Sequence, residues 1–176
     1  MEKKQIFVSR LADQLVKQGA MQEAEAESLV NEFKGRSTAR IDDMLLDEAT
    51  LDRETLLKAL QGVFGLPPFD VRGYFFNHQL LLLFPKDFLL KKGMIPVDTD
   101  DDMMTVVMSN PEDEQAIAEF GNYVAYTLNV YVGIERDIID AVEEYYDEDI
   151  VTSETHEQME DISEDGQEDS DIIDLP

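Results

Sequence analysis

The chain has 176 residues, 43% of them apolar and none of them cysteine, and its 40 acidic against 14 basic side chains give a net charge of −26. That length suits one ordinary domain or two small ones with a real core. The lack of cysteine excludes a disulfide framework and thiolate metal sites, and so acidic a body makes nucleic acid and anionic lipid poor partners.

Residues 8–33 and 38–63 form a weak tandem repeat at an offset of 30: Arg10 matches Arg40, Leu11 Ile41, Asp13 Asp43, Leu15 Leu45, Val16 Leu46, Met21 Leu51, Val30 Leu60 and Gly35 Gly65. A repeat of this length is one helical supersecondary unit used twice. The first copy reads as a helix over Ser9–Lys17, capped by Ser9 and ended by Gly19 in the left-handed region, then a helix over Gln22–Phe33 that stops near Gly35. In the second copy Ser37 or Thr38 precedes a short helix around Arg40–Leu46. Asp52 then caps a helix over Arg53–Phe64, and Gly65 stops it. Each hairpin has one apolar stripe, and stacking the pair buries both.

Leu66-Pro67-Pro68 reads as an extended connector. The aromatic segment Phe69–Phe84, broken by Asn77-His78-Gln79, is expected to dock one subdomain on the other, with a short helix near Gln79–Leu83. From Pro85 the period changes. A helix over Lys86–Lys92 ends at Gly93. Met94–Val97 and Met103–Met108 read as paired strands joined by the acidic turn Asp98–Asp102. Asn110-Pro111-Glu112-Asp113 has the form of a helix start, with Asn110 as cap and Pro111 in the first helical position. That helix is expected to run to Phe120 and stop at Gly121. A strand over Ala125–Val132 and a helix over Ile134–Tyr146 complete the pattern. The fold expected is α+β: a four-helix subdomain over residues 1–66, a three-stranded α/β subdomain over 67–146 and a disordered acidic tail or linker over 147–176. The tail carries 13 Asp or Glu and no Lys or Arg, so burial cannot offset its ordering entropy.

The second half resembles a known family. Gly65-Leu66-Pro67-Pro68-Phe69-Asp70-Val71 is similar to a G-[IL]-P-x-[FVY]-[DE]-[LV] connector. Phe84-Pro85 precedes a short helix, Met94-Ile95-Pro96-Val97 follows, and the chain continues as Thr105-Val106-Val107-Met108-Ser109-Asn110-Pro111-Glu112-Asp113 before closing on Ile138 and Ala141–Tyr145. In this order the pieces resemble the N-terminal domain of type II secretion and type IV pilus assembly ATPases, over roughly residues 8–146. In one branch of that family each helical repeat resembles R-L-G-x-x-L-x-x-x-G-x-I, four variable residues, then L-x-x-A-L-x-x-Q, and the pair binds cyclic di-GMP. The resemblance therefore implies a candidate cyclic di-GMP surface at Arg10, Leu11, Leu15, Arg40, Ile41 and Leu45. Arginine can stack on guanine or pair with phosphate, and a glycine at a helix start lets N–H groups approach phosphate. Gly19, Leu56, Ala59 and Leu60 also match. Ala12 and Asp42 replace the motif glycines, Ala49 replaces a third, and Phe33 and Val63 replace the closing glutamines. Asp42 would set a carboxylate where a dianionic ligand approaches.

The phosphate loop that a motor of this family requires, G-x-x-x-x-G-K-[ST], is missing, and no Gly-Lys pair occurs, so ATP hydrolysis by this chain alone is not expected. Asp98, Asp100 and Asp102 alternate as at the start of a calcium loop, but Met103 and Ser109 stand where that loop needs glycine and glutamate, which favours a solvated turn. His78 and His156 have no ligand spacing, and the expected metal count is none. Met103, Met104 and Met108 read as strand or core positions. Tyr145-Tyr146 reads as core packing, with an exposed docking point as the alternative. The reading that follows is a non-catalytic regulatory or docking domain. It would contact the secretion or pilus ATPase motor, or the cytoplasmic region of an inner-membrane platform protein, and so sit in the cytoplasm, free or held at the inner membrane through that partner. Its rivals are a cyclic di-GMP sensor and, with no motif in its favour, an independent enzyme.

Overall fold

The computed structural model describes residues 2–36 and 38–146. The expected acidic tail and His156 lie outside the described residues. The fold is α+β, and its helical half precedes a small sheet. Helices α1 (Glu2–Lys17) and α2 (Glu23–Gly35) make the first hairpin. The second comprises the single turn α3 (Ile41–Asp43), a π turn over Met44–Glu48 and helix α4 (Arg53–Phe64). The two copies keep the same corner. Gln22 and Asp52, related by the offset, precede α2 and α4 with φ/ψ of −79/154° and −77/155°. Asp52 accepts from Thr55 N at 2.8 Å, while Gln22 N donates to Glu25 at 2.8 Å.

Three local readings change in this half. Ser9 caps nothing, because α1 begins at Glu2. Val8 is buried and Phe7 stacks on Phe64 at 5.6 Å, so tertiary packing carries the helix back past the repeat boundary. In the second copy the π turn absorbs one extra residue, with Ala49 N donating to Met44 O at 2.9 Å. The left-handed position, held by Gly19 in the first copy (φ 73°), thus falls on Thr50 (φ 51°) and not on Ala49.

In the second half, helices α5 (His78–Leu81) and α6 (Lys86–Lys92) precede β1 (Met94–Asp100) and β2 (Met103–Met108), which pair antiparallel. Helix α7 (Glu114–Phe120) crosses to β3 (Thr127–Val132), which lies parallel to β2, so the sheet order is β1-β2-β3. Helix α8 spans residues 135–146. The cap of α7 is Asp113, which accepts from Ala116 N at 3.0 Å. Asn110 instead accepts from Glu112 N at 3.2 Å, so it makes the turn before the helix and Pro111 lies outside it. The acidic hairpin is tighter than expected: Asp98 and Asp100 belong to β1, and the turn is Asp101-Asp102. The connector also takes part in the sheet. Phe69 N donates to Val132 O at 2.9 Å and Val132 N to Pro67 O at 3.0 Å, so residues 67–69 lie parallel to the end of β3.

Two apolar clusters follow. One holds the sheet, α5–α8 and the aromatic segment, with Phe84 stacked on Phe120 at 4.2 Å. The other holds both helical repeats, and Val132 and Ile134 reach into it from the β3–α8 junction. The chain that leaves the sheet is therefore inserted among the helices.

Candidate functional site

The six residues of the candidate nucleotide surface separate by burial. Leu11, Leu15, Ile41 and Leu45 lie in the helical core. Their spacing reflects the buried stripe of each copy. Arg10 and Arg40 reach solvent but occupy unlike places. Arg40 sits before the first residue of α3 and its Nε donates to Asp43 at 3.2 Å. Arg10 lies in mid-helix, so the N–H groups around Ala12 fall inside the helical ladder. The Arg10 guanidinium donates to both carboxylate oxygens of Glu112 at 3.0 and 2.9 Å and to Val63 O at 2.7 Å, and stands 5.7 Å from the centre of the Phe64 ring. It is thus a strut between α1, α4 and the turn before α7.

Asp42 does not face solvent. It is buried, and its carboxylate accepts from Arg136 N at 3.1 Å, in the first turn of α8. Burial pushes this carboxyl up to about 6, against the hydrogen bond from Arg136 and with the neighbouring charges of Glu135, Asp43 and Asp137. The Arg136 guanidinium donates to Asp43 at 3.2 Å and Asp47 at 2.7 Å, and these contacts hold it firmly protonated. One residue on, Asp137 accepts from Arg53 at 2.9–3.2 Å through two of its nitrogens. Arg72 adds a contact at 3.8 Å. Carboxylates and guanidinium groups of the second repeat thus grip the start of α8. Sequence reasoning missed this seam. Its one local signal is Glu135-Arg136-Asp137 at a helix start.

A different surface is apolar. Phe75 is 92% exposed, and Leu82 and Leu83 are also exposed. The backbone beneath them is fixed by the tyrosines at the end of α8. Tyr145 Oη accepts from Phe76 N at 3.0 Å and donates to Tyr74 O at 3.0 Å, and Tyr146 Oη donates to Leu81 O at 2.8 Å. His78 lies 5.2 Å from the Tyr145 ring. Met104 and Met108 are in the core, whereas Met103 is exposed. Among the described residues no three His, Asp or Glu side chains are placed to hold a metal ion, and no helix is long and apolar enough to cross a membrane.

A groove of about 560 Å³ runs between α1 and α2. Val16 and Val30 line it, and Asp13, Glu23 and Glu27 stand against Lys17 on its rims. Such a surface favours cations and apolar groups over anions.

The comparisons with known proteins agree with this architecture. The model of the MshEN domain family matches residues 64–152. The chain is 23% identical over 139 residues to the type IV pilus assembly ATPase PilB of Myxococcus xanthus (strain DK1622), covering 79% of this chain but 24% of that protein. It therefore spans about a quarter of the length of that curated relative. Among solved structures, MshE with cdg superposes with a TM-score of 0.61 at 25% identity, over 78% of this chain and 99% of that one. The N-terminal domain of XpsE shares the fold, with a TM-score of 0.53 at 22% identity over 76% and 92% of the two chains.

Proposed function

This chain belongs to the MshEN domain family, and from that membership we propose that it is a regulatory docking domain of a type II secretion or type IV pilus assembly ATPase system. In this reading residues 1–66 are a helical subdomain and residues 67–146 an α/β subdomain, locked together by the Asp42–Arg136 and Arg53–Asp137 seam. The domain works in the cytoplasm and contacts the motor or the cytoplasmic region of the inner-membrane platform protein. It performs no chemistry of its own. The observation that carries the reading is the pinned apolar segment, where Phe75 projects into solvent from a backbone held by Tyr145 and Tyr146. Large apolar groups exposed on a fixed backbone mark a protein contact, because their burial costs little ordering entropy.

Replacing Phe75 and Leu82 with aspartate in the full chain tests this. The affinity for the motor or platform region of the same system is expected to fall by about 10-fold or more, corresponding to loss of one buried aromatic anchor. The melting temperature should hold, since neither side chain packs in the core. An unchanged affinity contradicts the proposal.

A second reading has one observation in its favour, the likeness to MshE with cdg over most of this chain. If cdg there is cyclic di-GMP, the same ligand would meet Arg10 and Arg40 here. It would have to draw Arg10 from Glu112 and Arg40 from Asp43, and would find the four apolar candidates already in the core.

A further inference from the structure

The second helical repeat carries its own occupant. Asp42, Asp43 and Asp47 receive Arg136, Arg53 receives Asp137, and Ile134, two residues ahead of Arg136, is buried with the leucines of both repeats. Subtracting the offset of 30 gives Ala12, Asp13, Lys17 and Glu23, and all four line the open groove between α1 and α2. The next pair of positions follows the same contrast. Leu57 and Leu60 are buried in the second copy, whereas Glu27 is exposed and Val30 half-buried in the first.

We propose that the α1–α2 groove binds the first turn of a partner polypeptide's helix, one that carries an apolar anchor and a basic residue where α8 has Asp137. The proposal rests on the reading of the chain as a docking domain and names the chemistry of one partner. The charges of the template fix that chemistry. Asp13 keeps the carboxylate that Asp43 offers to Arg136 at 3.2 Å, but Lys17 reverses Asp47, the nearer partner at 2.7 Å, so the position that answers to Arg136 selects no sign. Glu23 reverses Arg53, so the residue that answers to Asp137 must be basic, and Glu27 adds to the same field. Ala12 replaces Asp42, so the base of the groove carries a buried methyl and no carboxylate. The anchor that answers to Ile134 lies over Val16 and Val30. An anionic ligand gains nothing from rims of this sign.

The chain's own seam supplies the probe. Two fluorescent peptides are made from residues 131–146, stapled on the face away from Ile134 and Arg136. One keeps Asp137 and the other carries Asp137→Lys. Anisotropy with the full chain is expected to show the Asp137→Lys peptide binding at least 10-fold more tightly. In the chain variant Glu23→Arg the order should invert, while Asp98→Arg, in the distant hairpin, should leave it unchanged. Binding of neither peptide overturns the proposal, as does equal binding of both. A response to Asp98→Arg as large as that to Glu23→Arg also overturns it, by reducing the effect to general acidity. The two readings fail separately. If discrimination is lost while the Phe75 and Leu82 substitutions still weaken partner binding, the groove is removed and the docking domain stands. If those substitutions have no effect either, the docking reading goes with it.

Discussion

Substitution Asp137→Ala is expected to lower the unfolding free energy by about 3 kcal/mol, the low end of what removal of one member of a buried ion pair costs. The Asp137 side chain is 4% exposed and accepts from two nitrogens of Arg53, which is itself 28% exposed. Alanine leaves the Arg53 guanidinium half in the protein without its carboxylate, and Arg72 loses a neighbour 3.8 Å away. The partial exposure of Arg53 keeps the cost from rising further, because water recovers some of its solvation. Replacing both partners by leucine is expected to recover most of the loss, since an apolar pair carries no stranded charge. Urea unfolding of the two variants measures this. A loss under about 0.5 kcal/mol for Asp137→Ala would show that the seam does not hold α8 to the second repeat.

Asp42→Asn should act in the opposite direction, and only where the carboxyl ionises. The native carboxyl is pushed up to about 6 from an ordinary 3.8, chiefly by burial. The native state therefore holds its proton more tightly than the unfolded chain does. Below 3.8 both states are protonated and no penalty arises. Between 3.8 and about 6 the unfolded chain releases its proton first, so this group's contribution to stability is lost as pH rises, and the loss is complete above that window. The interval is worth ~3 kcal/mol. Asparagine keeps an oxygen for Arg136 N and never ionises. It is expected to stabilise the chain at pH 8 by up to ~3 kcal/mol and to change little at pH 3.5. Denaturant unfolding of the pair at both pH values reads the difference. Equal effects at the two values would show that folding leaves this carboxyl's affinity for its proton unshifted, and would contradict its burial as the cause.

Much of the fold could be read in the order of residues. The corner of each repeat is local chemistry: Asp52 before Thr55 starts α4, Gly65 ends it, and Gln22 with Glu25 starts α2 at the corresponding place. Pro85 and Gly93 bound α6 for the same reason. The π turn was less legible, because its extra residue is accommodated by Thr50 in a conformation that sequence rules reserve for glycine. The start of α1 was hidden because Phe7 and Val8 owe their helix to packing, Phe7 on Phe64 and Val8 in the helical core, not to a cap. The candidate site was least legible. Leu11, Leu15, Ile41 and Leu45 recur because each copy has a buried stripe, and the same spacing would serve a ligand surface. Asp42 and Arg136 are 94 positions apart and Arg53 and Asp137 are 84 apart, so no local period announces either pair. The aspartate that replaces a motif glycine reads in sequence as a damaged ligand site. In the structure it accepts from Arg136 N in the first turn of α8.

The balance between docking and nucleotide sensing is tested most directly by titrating the full 176-residue chain with cyclic di-GMP in a calorimeter. Docking without a nucleotide is the account's central claim. It predicts no heat and no change in melting temperature at high ligand excess, because Arg10 and Arg40 are engaged at unlike helix positions and the adjoining rims are acidic. Micromolar or tighter binding, weakened by Arg10→Ala or Arg40→Ala, would contradict it and make the tandem repeats a nucleotide sensor.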